Sequence, residues 1–124
     1  MASPSFIDAV MDGGLDYLEA NCIRVDGCVT EPTTYTEATS TYSKGSYVLD
    51  GTDWTVADSA GGRKVSLAAQ TGNNATATAA VNFLAFTAAG SVFLGVIDAD
   101  GTTVNSGQAW GINAVDVWTV ADPT

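Results

Sequence analysis

From Gly45 onward the sequence is a succession of short, β-prone runs that are separated by Gly, Asn and Asp. The predicted strands occupy residues 47–49, 54–57, 64–69, 75–86, 92–98 and 115–120. Residues 87–90 can form one hairpin turn, and Asp100 with Gly101 is a two-residue hairpin signal. Strands that recur at this spacing predict a mainly β fold, with an antiparallel β-sandwich or barrel over residues 45–122.

A helical pattern precedes the strands. Over residues 5–20 the apolar side chains recur at three- and four-residue steps, which is the spacing of one helix face: Phe6, Ile7, Val10, Met11, Leu15 and Leu18. Ser5 can cap this helix, with Asp8 at the position of a capping-box acid. Gly13 and Gly14 each weaken its middle by roughly 1 kcal/mol relative to alanine. We therefore expect one N-terminal α-helix that is either broken at the glycine pair or approached there by a neighbouring backbone.

The sequence pattern changes twice between the predicted helix and the later strands. Ile23 and Val25 alternate with Arg24 and Asp26, as on a half-buried strand. Residues 30–43, with the sequence TEPTTYTEATSTYS, are polar, rich in Thr and interrupted by proline, which predicts a long extended loop or arm. A chain of 124 residues has the usual size of one domain, so residues 1–124 are expected to fold as a single domain.

The pentapeptide WTVAD occurs twice, at residues 54–58 and at residues 118–122. A pair of equivalent strands, one in each of two sheets, would explain the repeat. Coincidence is the alternative, because Thr, Val and Ala are common on strands. The repeat does not by itself indicate a duplication.

The chain is strongly acidic, with a net charge of -10 from 14 acidic and four basic residues: Arg24, Lys44, Arg63 and Lys64. Nucleic-acid binding needs several Lys or Arg contacts with phosphate, so this composition excludes it, and binding to an anionic membrane is disfavoured for the same reason. There is no apolar run of about 18 residues that could span a bilayer. The first 20 residues lack the basic start of a signal peptide, which predicts synthesis and retention in the cytoplasm.

The absence of histidine limits the chemistry that the chain can perform. A Ser-His-Asp or Cys-His nucleophile system is excluded. Carboxylate pairs remain, because glycoside hydrolysis needs only two acids, and the two candidate groups are Asp98 with Asp100 and Asp12 with Asp16 and Glu19. The stretch DADGTT is more simply a turn, and it lacks the ligand spacing of a calcium loop. We expect no enzymatic activity, no cofactor and no bound metal.

Cys22 and Cys28 lie six residues apart on a predicted strand and turn. A metal site would need further Cys or His ligands. Buried, unreactive thiols in a reducing compartment are the ordinary interpretation. A short-loop disulfide that forms after release from the cell is the alternative.

Two segments are candidate protein interfaces. Asp12, Asp16 and Glu19 share one helix face, which is either a solvated acidic face or a contact with a basic partner. In residues 30–43, aromatic side chains can anchor a partner and the backbone can add a strand to a neighbour's sheet. The candidate residues of this arm are Thr33, Thr34, Tyr35, Thr36 and Tyr42.

Three segments resemble a group of small virion structural proteins of tailed bacteriophages. They are GLDYLEANCIRVDGCVTEPTTYTEATSTYSKGSYVL, GGRKVSLAAQTG and VDVWTVADPT, which occur in this order and cover most of the chain. The sequence departs from the group at residues 73–80 and at residues 110–113. No catalytic motif is associated with the group, so no catalytic residues are carried over.

The resemblance implies a capsid decoration, or cement, protein that binds the outer face of a phage head. Its partner would be the major capsid protein, and it would form a homo-oligomer, in particular a trimer. The chain would then be made in the bacterial cytoplasm and end on the virion surface. A tail or connector position, and a host-contact or glycan-binding module on a head fibre or tail, are the alternatives.

Overall fold

A computed structural model of the chain describes residues 8–121, with side chains from residue 13 to residue 120. The helix α1 comes first and seven strands follow, with a short π-helical turn and a 3-10 turn between the early strands. Their bounds are α1 Asp8–Asn21, β1 Cys22–Cys28, π turn Glu37–Thr41, β2 Ser43–Val48, 3-10 turn Gly51–Asp53, β3 Trp54–Ser59, β4 Gly62–Leu67, β5 Ala79–Ala88, β6 Val92–Val104 and β7 Val115–Ala121. Within these residues no helix is both long and apolar enough to cross a membrane.

The strands form two antiparallel sheets that pack in the manner of a sandwich. One sheet has the order β2-β1-β5-β6 and the other has the order β3-β4-β7. Neither sheet closes into a barrel. The predicted mainly β fold with one N-terminal helix is confirmed. Residues 5–7 of the predicted helix lie outside the described part of the chain.

The main core fills the space between the two sheets and under the helix. Alternating side chains supply it, because every second residue of a strand points to the same face. Trp54 from β3 and Phe86 from β5 join the sheets, with ring centroids 5.7 Å apart. Leu15 is the fully buried contribution of α1. Each such side chain contributes roughly 1.5–3 kcal/mol by leaving water.

Helix α1 is continuous through its glycine pair, so the predicted break is wrong. A methyl group at Gly14 would lie 2.8 Å from two ring atoms of Trp118, whereas one at Gly13 would meet no atom of the described residues within 4 Å. The close neighbour is therefore a side chain of β7, not a backbone. Gly14 lets the indole ring lie directly against the helix.

The two WTVAD segments lie in one sheet, which corrects the prediction of two sheets. They belong to β3 and β7, on either side of β4, and the last residue of the second copy is outside the described residues. Trp54 pairs with Leu67 and is buried, while Trp118 pairs with Val65 and is 49% exposed. The same five residues thus serve different packing roles, because Trp54 lies against Phe86 of the opposite sheet and Trp118 lies against Gly14 of the helix.

The Asp100–Gly101 signal does not mark a hairpin, because both residues lie inside β6. The register of β6 against β5 shifts between Asp98 and Thr102, so β6 carries extra residues there. Gly101 has a φ of 76°, a conformation that favours glycine and that suits a bulge. A turn does join β5 to β6 near the predicted position, but it occupies residues 89–91, and Thr87 and Ala88 belong to β5.

Residues 105–114 run beside residues 70–75, to which isolated β-bridges join them, and they bring Trp110 into the core. The ring lies against the backbone of β1 and β2, where a methyl group at Gly27 or Gly45 would approach it to 3.0 or 2.5 Å. The Tyr47 hydroxyl donates a hydrogen bond to the Trp110 carbonyl, and the two ring centroids are 5.0 Å apart. A bridge between Gln70 and Ile112 holds this loop to the segment before β5.

We predict that Gly45→Ala destabilises the protein by about 1–3 kcal/mol, because the new methyl group would overlap the buried Trp110 ring. The matched control is Gly95→Ala, since a methyl group at this strand position meets nothing within 4 Å. Urea unfolding at pH 7 measures both changes. Equal stability of the Gly45→Ala variant and the unmodified protein would contradict the packing described for Trp110.

We predict opposite outcomes for alanine at the two helix glycines. Gly13→Ala should stabilise the protein by roughly 0.5–1 kcal/mol through helix propensity alone. Gly14→Ala should give no gain, because its methyl group displaces Trp118. In a Trp118→Ala background the gain at residue 14 should appear. Thermal unfolding of the four variants tests this, and equal gains at both glycines in the unmodified background would refute the contact.

Candidate protein-interaction surface

Strand β1 has two differently covered faces. Val25 belongs to the main core between the sheets, whereas Cys28 belongs to a second, smaller core. Asp26 pairs directly with Ala85 of β5, which is also in the smaller core, so its side chain shares that face. The outer face of the four-stranded sheet therefore carries its own buried layer.

Residues 30–43 cover this outer face. Two residues of this segment, Pro32 and Ala38, are fully buried. The Cys28 thiol donates to the Ala38 carbonyl at 3.5 Å, and the Val29 amide donates to the Tyr42 carbonyl at 3.2 Å. The predicted extended arm is thus wrong, because the segment is folded onto the sheet by buried apolar residues that its polar composition hides.

Within this segment the backbone of residues 35–41 is helical, and its hydrogen bonds are made internally. The Ala38 amide donates to the Thr34 carbonyl at 3.0 Å, and the Tyr42 amide donates to the Glu37 carbonyl at 2.9 Å. The Glu37 carboxylate accepts from the amide and the hydroxyl of Thr33, both at 2.9 Å. These donors lower the pKa of Glu37. A backbone that is paired in this way does not offer the strand addition expected of an extended arm.

A buried ion pair fastens the folded segment to β1. The Arg24 guanidinium donates to both oxygens of the Asp26 carboxylate, at 2.7 and 2.8 Å. Asp26 is fully buried and also accepts from the Ser43 hydroxyl at 2.5 Å. Arg24 reaches the Thr39 carbonyl as well, at 3.2 Å. The hydrogen bonds that Arg24 donates to Asp26 raise the pKa of Arg24, so the guanidinium stays charged at neutral pH.

The predicted interface residues of this segment take different positions. Thr33, Thr34 and Thr36 are exposed, and Tyr35 beside them is half-buried. Tyr42 packs against the smaller core, so its ring supports the segment from below. The four predicted residues from Thr33 to Thr36 are therefore at least partly exposed. Tyr42 instead has a packing role.

The sheet contributes two aromatic residues that the sequence analysis did not single out as an interface. Phe83 of β5 and Phe93 of β6 are partly exposed and pack against the smaller core. Both alternate with inward residues, and Phe83 pairs across the sheet with Cys28 on the outer face. The alternation was visible in the sequence. What the alternation does not reveal is that residues 30–43 pack on this face.

The acidic helix residues lie apart from this segment. Asp16 and Glu19 line a shallow hollow with Ala20 and Gly51. The Asp12 side chain lies outside the described residues. Because α1 ends directly before β1 and residues 30–43 follow its far end, the acids and the threonines occupy opposite ends of that strand.

The other candidate chemical groups have structural surroundings. Asp100 accepts from the amide and hydroxyl of Thr102, at 3.2 and 2.9 Å, which lowers its pKa. Burial raises the pKa of Cys22 to about 11 and that of Cys28 to about 12, so both thiols are neutral at pH 7. Both are free, and a six-residue strand separation of about 20 Å is too long for a disulfide. Among the described residues no cluster of three His, Cys, Asp or Glu could hold a metal.

We predict that Arg24→Met destabilises the protein by about 3–5 kcal/mol, because it leaves the buried Asp26 carboxylate without its cation. The double variant Arg24→Met with Asp26→Leu should recover most of the loss.

When residues 30–43 loosen, Cys28 should also react faster with a thiol reagent than Cys22 does. Peptide mass spectrometry measures the two reaction rates separately.

Lys64→Met is the matched control for the removal of a cation. It breaks a surface pair with Asp116, which is worth roughly 1 kcal/mol or less. If Arg24→Met cost no more than Lys64→Met, or if Cys28 stayed protected, the ion pair would not hold the segment in place.

The candidate surface, called here the turn surface, consists of residues 33–36 with Phe83 and Phe93. It combines exposed hydroxyl groups with partly exposed aromatic rings on a folded support. No protein-family model matches the chain, and no curated protein sequence and no solved structure is significantly similar to it.

Proposed function

We propose that the protein is a structural virion subunit, a decoration or cement protein that binds the outer face of a phage head and stabilises the shell. Its partner is the major capsid protein. The resemblance of its sequence to small virion proteins supports the proposal. The observation that carries it is the turn surface, a surface that is already folded before any partner is present.

A surface that is already folded lowers the cost of docking. The ion pair between Arg24 and Asp26 holds residues 30–43 in one conformation, so little conformational entropy remains to be lost on binding. Tyr35, Phe83 and Phe93 supply partly exposed aromatic area, which is enriched at interface hot spots. Threonine hydroxyls beside them can satisfy polar groups of the partner.

Shell binding does not need high affinity at each contact. A capsid displays many copies of the same site, and a homo-oligomer, in particular a trimer, would engage several of them at once. The net charge of -10 keeps free subunits soluble and favours a shell surface with basic residues. Asp16 and Glu19 would form a second, acidic contact at the other end of β1.

A second candidate function is a host-contact or glycan-binding module on a head fibre or tail. Tyr17 of α1 is 58% exposed and Trp118 is 49% exposed. Trp118 lies against Gly14, one helical turn from Tyr17, and acidic residues flank Tyr17 on the same helix. Exposed aromatic rings near carboxylates are a common arrangement for sugar binding.

The test is reconstitution on shells assembled from the proposed partner, the major capsid protein. Shells with the protein should rupture at a higher temperature or force than shells without it. Tyr35→Ala should weaken shell binding by roughly tenfold or more, the size expected for a lost aromatic anchor of about 2 kcal/mol. Tyr17→Ala, the same substitution at the other end of β1, is the matched control and should bind shells normally.

The same variants separate the two candidate functions. Glycan-array binding that is lost in Tyr17→Ala or Trp118→Ala and kept in Tyr35→Ala would replace the decoration proposal with the second candidate. Equal rupture of shells with and without the protein would defeat the cement role. Electron microscopy of labelled virions distinguishes the head from a tail or connector position.

A further inference from the structure

A cleft of about 620 Å³ lies between the second half of β6 and residues 109–115. Leu84 of β5 and Ile112 of the loop are among its apolar lining residues, with Ala99 and Val115 from the neighbouring strands. Ligand clefts in proteins usually measure about 300–1,000 Å³, so the volume is sufficient for a short peptide segment. The turn surface does not include this cleft.

The cleft runs along a strand edge with free backbone groups. Strand β6 pairs with β5 on one side and, within the described residues, with no strand on the other. The outward-directed amides and carbonyls in its second half therefore lie along the cleft, except for the Thr102 amide, which donates to the Asp100 carboxylate. Strand β7, which begins at the cleft with Val115, also pairs with one strand among the described residues. Such an edge can hydrogen-bond an added extended segment.

The charge of the cleft has one sign. Asp98 and Asp100 line it and are exposed, and none of its described lining residues is Lys or Arg. These carboxylates would repel an acidic segment, and charged residues on an edge are a known protection against edge-to-edge pairing of two copies. An occupant of opposite charge would be attracted by the same carboxylates.

We propose that this cleft binds an extended segment of a partner protein in which Lys or Arg residues alternate with small apolar residues. Alternate side chains of an extended segment point in opposite directions. One set would lie on Leu84 and Ile112, and the basic set would meet Asp98 and Asp100 at the rim. The backbone between them would pair with β6. This inference does not depend on the decoration role.

The probe is the peptide acetyl-KVTVKVTV-amide, added to the full chain and followed by calorimetry and amide NMR shifts. The shifts should concentrate on residues 98–104 and 109–115. An acidic peptide, acetyl-EVTVEVTV-amide, should bind at least tenfold more weakly, and so should a basic peptide with N-methylated backbone that cannot pair with an edge. High salt should also weaken the binding.

Variants of the chain localise the site. Asp98→Asn should weaken binding of the basic peptide by roughly threefold to tenfold, the range for one charge contact at a rim. Ala114→Trp, at an exposed position in the lining, should fill the cleft and abolish binding while circular dichroism remains unchanged. Glu31→Gln is the control, because it removes the same charge at an exposed position outside the cleft.

No binding of the basic peptide, equal affinity for the acidic peptide, or shifts that lie outside the cleft would each overturn the proposal. The result is independent of the shell experiment. Asp98→Asn leaves Tyr35 and the rest of the turn surface unchanged, so a chain that binds shells and not the peptide loses only this inference. A chain that binds the peptide and not shells loses only the decoration role.

Discussion

The ion pair between Arg24 and Asp26 is the interaction on which the outer layer depends. A fully buried carboxylate is costly unless charge and hydrogen bonds compensate it, and here a bidentate guanidinium and the Ser43 hydroxyl do so. The same guanidinium reaches the Thr39 carbonyl across 15 residues of chain. One strand thereby orders a polar segment that has few apolar residues of its own. The small core around Cys28 becomes possible because this segment is held over it.

Glycines at three positions determine where the tryptophans pack. Gly27 and Gly45 leave room on adjacent strands for Trp110, and Gly14 leaves room on the helix for Trp118. In each case the missing side chain is replaced by an aromatic ring, which contributes large apolar area at the cost of weaker local propensity. The loop that carries Trp110 closes the sandwich beside the cleft. The low helix and strand propensity of these glycines is thus offset by the packing of aromatic rings between elements.

The sequence was sufficient for the architecture because alternation and turn residues act locally. The mainly β fold, the helix and a hairpin turn close to residues 87–90 follow from such patterns, with the turn itself at residues 89–91. The conformation of residues 30–43 could not be predicted from local patterns. It depends on the hydrogen bond from Arg24 and on the burial of Pro32 and Ala38, and both require contacts with distant parts of the chain. Asp100 with Gly101 suits a turn and a bulge equally well, and only pairing with β5 decides between them. The candidate surface was partly predicted through Thr33 to Thr36, while its aromatic half was assigned to packing.

Strand β6 extends over 13 residues and borders both the turn surface, through Phe93, and the cleft, through its second half. Its antiparallel pairing with β5 runs from Val92 to Val104 and is interrupted by register shifts. The shifts divide the pairing into stretches of constant register. A force along the strand would act on all the hydrogen bonds of one stretch at the same time, in shear. A pull perpendicular to the strand would break them one after another. The direction of an applied force, and not its size alone, would therefore decide how long this edge holds.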